Sequence, residues 1–93
     1  MFTLKATNQF KKDAKKVIKR ASENLDLIED FLKKLQANGA IGIEKKHRPH
    51  KLTGNYKGNW EAHIKPDLLL IWFEITKENE IILLRLGTHS DLF

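Results

Sequence analysis

The chain has 93 residues, 41% of them hydrophobic and 31% charged, with no cysteine and a formal net charge of +5 at pH 7. That size suits one compact domain, residues 1–93, and the apolar share is too high for a disordered chain. The absence of cysteine excludes disulfide scaffolds, Cys-based zinc sites and thiol nucleophiles.

The longest apolar run, residues 68–73, falls far short of the roughly 20 residues a membrane span needs. Met1-Phe2-Thr3-Leu4-Lys5 lacks the apolar core of a secretory signal. A cytoplasmic location and no membrane partner are expected. The positive charge is clustered: residues 1–20 carry seven Lys or Arg and one acid, and residues 41–60 have a net charge of +4. Residues 21–40 and 61–80 are net acidic. Clustered basic charge attracts polyanions, nucleic acid above all.

In chain order, Phe2-Thr3-Leu4 is a short β-prone start. Thr7 or Asn8 can cap a helix, because a side-chain oxygen there accepts free N–H groups of the first turn. Phe10, Ala14, Val17, Ile18 and Ala21 then form one helical stripe, with Lys11, Lys12, Lys15, Lys16, Lys19 and Arg20 on the remaining surface. A second helix begins at Ser22 or Asn24, with Leu25, Ile28, Phe31, Leu32 and Leu35 as its stripe, and Asn38-Gly39 ends it. Residues 40–49 read as an irregular basic loop and Thr53-Gly54-Asn55 as a turn.

The period then changes. Residues 59–64 alternate, with Trp60, Ala62 and Ile64 on one face and Asn59, Glu61 and His63 on the other. Lys65-Pro66-Asp67 is a turn, since Pro fixes its own backbone and biases its predecessor away from helix. Residues 68–73 form a strand apolar on both faces, residues 77–80 turn the chain, and residues 81–86 are the last strand. The expected fold is α+β, in the order β-α-α-β-β-β. A mainly antiparallel sheet carries the N-terminal helical hairpin on one face and leaves the other face open.

The chemistry-bearing residues lie in the second half. His47, His50, His63 and His89 share it with Glu61, Asp67 and Arg85. Glu61 and His63 fall on one strand face, and Asp67 follows across a three-residue turn. Arg85 ends the last strand, just before Gly87-Thr88-His89-Ser90-Asp91. No HExxH or Cys/His pair is present, so no metal site is expected. Without GxGxxG or Walker A sequences, no nucleotide cofactor is expected either. His, carboxylate and Arg together suit metal-free RNA cleavage. A base takes the ribose 2′-OH proton, the oxygen attacks the adjacent phosphate, an acid protonates the departing 5′-oxygen, and a cation offsets the developing charge. Histidine fits either proton-transfer role. A non-catalytic RNA- or ribosome-binding translation inhibitor, or an inert DNA-binding partner of a repressor, remains open on these residues alone.

Three blocks narrow the choice: residues 50–58 (His-Lys-Leu-Thr-Gly-Asn-Tyr-Lys-Gly), residues 62–71 (Ala-His-Ile-Lys-Pro-Asp-Leu-Leu-Leu-Ile) and residues 85–93 (Arg-Leu-Gly-Thr-His-Ser-Asp-Leu-Phe). In this order they resemble the YafQ branch of the RelE-type toxins, and they cover about half the chain. The resemblance implies a toxin of a type II toxin–antitoxin system. Such a toxin enters the ribosomal A site and cuts mRNA without metal or other cofactor, and a cognate antitoxin of the DinJ or RelB kind, acidic where it covers the site, neutralises it. His50, His63, Asp67, Arg85, His89 and Phe93 match the family's catalytic positions. His89 would then be general acid and His63 or Asp67 general base. His50 and Arg85 would hold the scissile phosphate, and Phe93 would stack on a base, a contact of about 1–3 kcal/mol. Glu61 stands where the family has Asp and would orient His63; Leu68 stands where it has Trp. Under this reading Lys11, Lys12, Lys15, Lys16, Lys19 and Arg20, with Lys51 and Lys57, face RNA phosphates of mRNA and ribosome.

Overall fold

A computed structural model describes residues 1–54 and 57–93. Along the chain run β1 (Thr3–Ala6), α1 (Asn8–Arg20), α2 (Asn24–Asn38), β2 (His50–Lys51), β3 (Trp60–Lys65), β4 (Leu68–Ile75), β5 (Glu80–Gly87) and α3 (His89–Leu92). One five-stranded sheet has the order β1-β5-β4-β3-β2. The expected order holds, with a two-residue β2 and a one-turn α3 added. Residue 55 of the expected turn Thr53-Gly54-Asn55 lies outside the described residues.

The apolar run becomes the central strand. Leu68 to Trp72 are at most 2% exposed, which fits a strand covered on both faces. β4 pairs antiparallel with β3 and with β5, and β2 pairs antiparallel with β3. The sheet is nevertheless mixed, because β1 lies parallel to β5. A four-residue strand has too few side chains to declare its partner, and the two intervening helices supply the crossover that a parallel pair requires.

Thr7 is the cap of α1, its hydroxyl accepting the Phe10 N–H at 3.1 Å. Phe10 and Val17 of α1, and Ile28, Phe31 and Leu35 of α2, join Ala62, Ile64, Leu70, Trp72, Ile81, Leu83 and Leu86 in the main core. Leu25, expected in the α2 stripe, is 42% exposed, and Asn24 is buried in its place. The helix ends at Gly39, whose φ of +69 is the left-handed region. A Cβ there would lie 3.1 Å from the Phe2 ring, so Gly is required by both backbone and space.

The opposite sheet face is less open than expected. Leu69 and Ile71 are covered by Leu92 of α3, with Leu52 and Leu84 at the margin. Leu68, at the family's Trp position, is a core residue at 2% exposure.

β1 pairs only with residues 80–83 of β5, and beyond them the strand edge is satisfied by a side chain. Asp13 of α1 accepts the Leu86 N–H at 3.0 Å, Arg85 Nε at 2.8 Å and Gln9 Nε2 at 3.0 Å. Burial pushes this carboxyl up, but the hydrogen bonds from Arg85, Leu86 and Gln9 outweigh it and hold it below its ordinary value. Asp13 thus staples α1 to the sheet edge and fixes Arg85. Replacing Asp13 with Ala leaves the buried Leu86 N–H without its acceptor, and is expected to cost about 1–3 kcal/mol. The check is a lower urea midpoint with unchanged slope.

Candidate active site

Strand register assembles the site in two rows. In the first, His50 lies opposite Glu61, Glu61 opposite Ile71, and Ile71 opposite Arg85. In the second, His63 lies opposite Leu69 and Leu69 opposite Gly87, which leads directly into Thr88 and His89. The β3–β4 turn, Lys65-Pro66-Asp67, delivers Asp67 to the start of α3. There Asp67 Oδ1 accepts the His89 backbone N–H at 3.1 Å and His89 Nδ1–H at 3.0 Å.

These bonds settle which ring nitrogens are available. The His89 backbone and side-chain hydrogen bonds hold the Asp67 carboxyl below its ordinary value. Asp67 is therefore an ionised acceptor, and His89 Nδ1 must donate to it. His63 Nδ1 faces the Pro66 carbonyl at 3.2 Å, and a carbonyl can only accept. Both rings thus leave Nε2 for chemistry. Their centroids are 5.7 Å apart with planes at 50°, a gap that one reacting group can bridge.

Glu61 sits elsewhere than expected. It is buried and reaches His50 Nε2 at 3.3 Å, while His50 Nδ1 donates to the Arg48 carbonyl at 2.8 Å. His63 is positioned instead from behind. His47 Nδ1 donates to the His63 carbonyl at 2.7 Å, and the His47 ring stands perpendicular to Phe31 at 5.2 Å.

The remaining residues are spread around this centre. Arg85 directs two N–H donors at Asp13, 2.8 and 3.5 Å away, rather than at Glu61 or Asp67. Phe93 is 64% exposed and closes α3 through its N–H to the His89 carbonyl at 2.9 Å. Lys11, Lys12, Lys15, Lys16 and Lys19 are exposed along α1, and Lys51 and Lys57 are exposed near β2. Lys51 lies 5.5 Å from the Trp60 ring centroid. Arg20 is committed to Asp91 at 2.7 Å. Among the described residues, no group of three or more His, Asp or Glu side chains is placed to hold a metal ion. No helix among them is long and apolar enough to cross a membrane.

Asp13, the contact of His47 with the His63 carbonyl and the Arg20–Asp91 pair were not expected from the sequence. Only Asp13 left a signal: a lone acid in a lysine-rich helix, three residues after Phe10 and four before Val17, where the buried stripe wants an apolar side chain. The short α3 is held by a reciprocal capping box, Thr88 accepting the Asp91 N–H and Asp91 accepting the Thr88 N–H. The Arg20 hydrogen bond, then the Thr88 N–H, bring the Asp91 carboxyl down to about 2. A carboxyl depressed in the folded state stabilises above its unfolded value and loses that contribution as pH falls through the folded one. The Thr88 and Asp91 amide signals are therefore expected to hold on acidification and to titrate together near about 2. A midpoint at the ordinary carboxylate value would contradict the arrangement.

An α+β fold with paired histidines over one sheet face is the class these features define. The family model for YafQ, bacterial toxins of type II toxin–antitoxin systems, matches residues 2–93. The chain is 32% identical over 87 residues, 94% of its length, to the mRNA interferase toxin YafQ of Escherichia coli K12, of which 90% is covered. A metal-bound toxin from Helicobacter pylori has a similar structure, with TM-score 0.87, 35% identity and full coverage of both chains. The chain from the E. coli DinJ–YafQ complex gives TM-score 0.82 at 28% identity, covering 100% of this chain and 99% of that one. This chain belongs to the YafQ family of type II toxin–antitoxin toxins.

Proposed function

We propose that this toxin is a ribosome-dependent mRNA endoribonuclease that cuts by 2′-OH attack on the adjacent phosphate. The observation that carries the reading is the pairing of His63 and His89 at 5.7 Å, each with Nδ1 engaged by an acceptor and Nε2 left for substrate. His63 Nε2 takes the 2′-OH proton. The 2′-oxygen bonds to phosphorus, the bond from phosphorus to the 5′-oxygen breaks, and His89 Nε2–H protonates the leaving oxygen. The products are a 2′,3′-cyclic phosphate and a free 5′-hydroxyl.

Of the two candidate bases, His63 fits better, because Asp67 Oδ1 takes two His89 donors and these bonds hold the carboxyl below its ordinary value, leaving it a weak base. Asp67 acts as a positioning residue that orients the His89 ring through Nδ1. At the two ends of one row, Arg85, braced by Asp13, supplies positive charge toward the phosphate and His50, braced by Glu61, helps to hold it. Phe93 stacks on a base near the cut. The partner is a cognate antitoxin of the DinJ type, as in the E. coli DinJ–YafQ complex, with an acidic segment over the site, and the place of action is the translating ribosome in the cytoplasm.

Wild type and His89→Ala, each expressed from a tightly controlled promoter, are to be compared by mapping the 5′ ends of a reporter mRNA within minutes of induction. The expected result is new in-frame ends with the wild type and a loss of about 100- to 10,000-fold in cleavage for His89→Ala. Growth arrest by both proteins with intact mRNA would leave inhibition by occupancy instead.

A further inference from the structure

Beside the histidine pair, a cleft of about 290 Å³ opens between the β2 approach and the β3–β4 turn. Lys46, His47, Arg48, His63, Lys65 and Pro66 are among its lining residues. Its cations are poorly compensated. Lys46 lies 3.9 Å from Glu44, whose carboxylate is held by Lys34 at 2.7 Å, and Arg48 and Lys65 form no ion pair among the described residues.

The cleft is built rigidly onto the catalytic pair. His47 holds the His63 carbonyl, and the Arg48 carbonyl holds His50. Arg48 itself sits in the left-handed region, with φ 48 and ψ 54, although it is not glycine and precedes Pro49, a neighbour that favours extended backbone. Such strain persists only where surrounding contacts over-determine it. It keeps three mutually repelling cations around one opening that shares a wall with His63.

We infer that this cleft is a subsite for the RNA phosphodiesters flanking the scissile bond, with Lys46, Arg48 and Lys65 as its contacts; the inference rests on the RNA-cleavage reading above. An RNA strand bridging His63 and His89 must continue past His63, and its next phosphates meet this opening. The charged loop around residues 45–51, rather than the α1 lysine block, then sets the strand's path over the site. Because the contacts are to phosphate, they position the strand without reading its sequence.

The test measures binding of a 2′-O-methyl single-stranded RNA, which the toxin cannot cut, across a salt series. Three proteins are compared: wild type, Lys46→Gln/Arg48→Asn/Lys65→Gln, and Lys11→Gln/Lys15→Gln/Lys19→Gln. Each variant loses three charges, and Asn at position 48 tolerates the left-handed backbone. Thermal midpoints confirm that both variants fold. The cleft variant is expected to bind about tenfold or more weakly, with its log–log salt slope reduced by about 2, at roughly 0.7 per phosphate contact. The α1 variant should change less. Equal losses for the two variants, or cleft-variant binding equal to wild type, would overturn the subsite. So would a cleft variant that binds RNA normally but loses affinity for an acidic antitoxin segment. Reporter-mRNA mapping in parallel separates the two claims: cutting that ignores the cleft sinks only the subsite. Cleft-dependent binding without any cutting sinks only the nuclease reading.

Discussion

The register of β4 is the constraint on which the site depends. Leu68, Leu70 and Trp72 of this strand pack into the main core, and Leu69 and Ile71 into the smaller cluster with Leu92. Sliding it by one residue would exchange the faces of every side chain on it. Through that register Ile71 aligns Glu61 with Arg85, and Leu69 aligns His63 with Gly87. The register shifts on each side, between His63 and Lys65 in one pairing and between Ile71 and Trp72 in the other. Such irregularities re-aim side chains next to functional sites. The strand that contributes no polar side chain to the chemistry thus decides where all the others stand.

α1 locks this arrangement at two points. Asp13 closes the β5 edge where β1 has ended and takes the Arg85 guanidinium with it. About two turns later Arg20 reaches Asp91 and steadies α3, the element that carries His89. The first contact is buried and its loss leaves an unsatisfied N–H, so it weighs on stability. The second is half-exposed, and exposed pairs contribute little by themselves. Its consequence is positional: it holds a one-turn helix too short to persist without tertiary contacts. A helix whose outer surface carries exposed lysines is, on its inner surface, the brace of the site.

Much of this was legible in the residues. The two amphipathic stripes, the Gly39 stop, the alternating β3 and the continuous β4 each follow from a period that burial enforces. The strand ends and the block resemblance singled out His50, His63, Asp67, Arg85 and His89; the structure joins Asp67 to His89 beside His63, His50 to Glu61 and Arg85 to Asp13. What stayed hidden was pairing between distant side chains. Nothing near Glu61 indicates that it meets His50 rather than His63, because that depends on β2, a strand of only two residues. The parallel seat of β1 was hidden for the same reason. The support of His63 from His47 was equally invisible, since it runs from a side chain to a backbone carbonyl sixteen residues away.

The functional account comes down to two nitrogens. His63 and His89 can share one phosphate only if each ring keeps its proton on Nδ1 when neutral and offers Nε2 to the substrate. The direct measurement is nitrogen-detected NMR of the imidazole rings in the isotopically labelled toxin, taken at a pH where both histidines are neutral. The expected result is the Nδ1–H tautomer for both rings, with the His89 signal reverting toward the usual mixture in Asp67→Ala. An Nε2–H tautomer for either ring in the wild type would contradict the account, because the atom meant for the substrate would already carry the wrong proton.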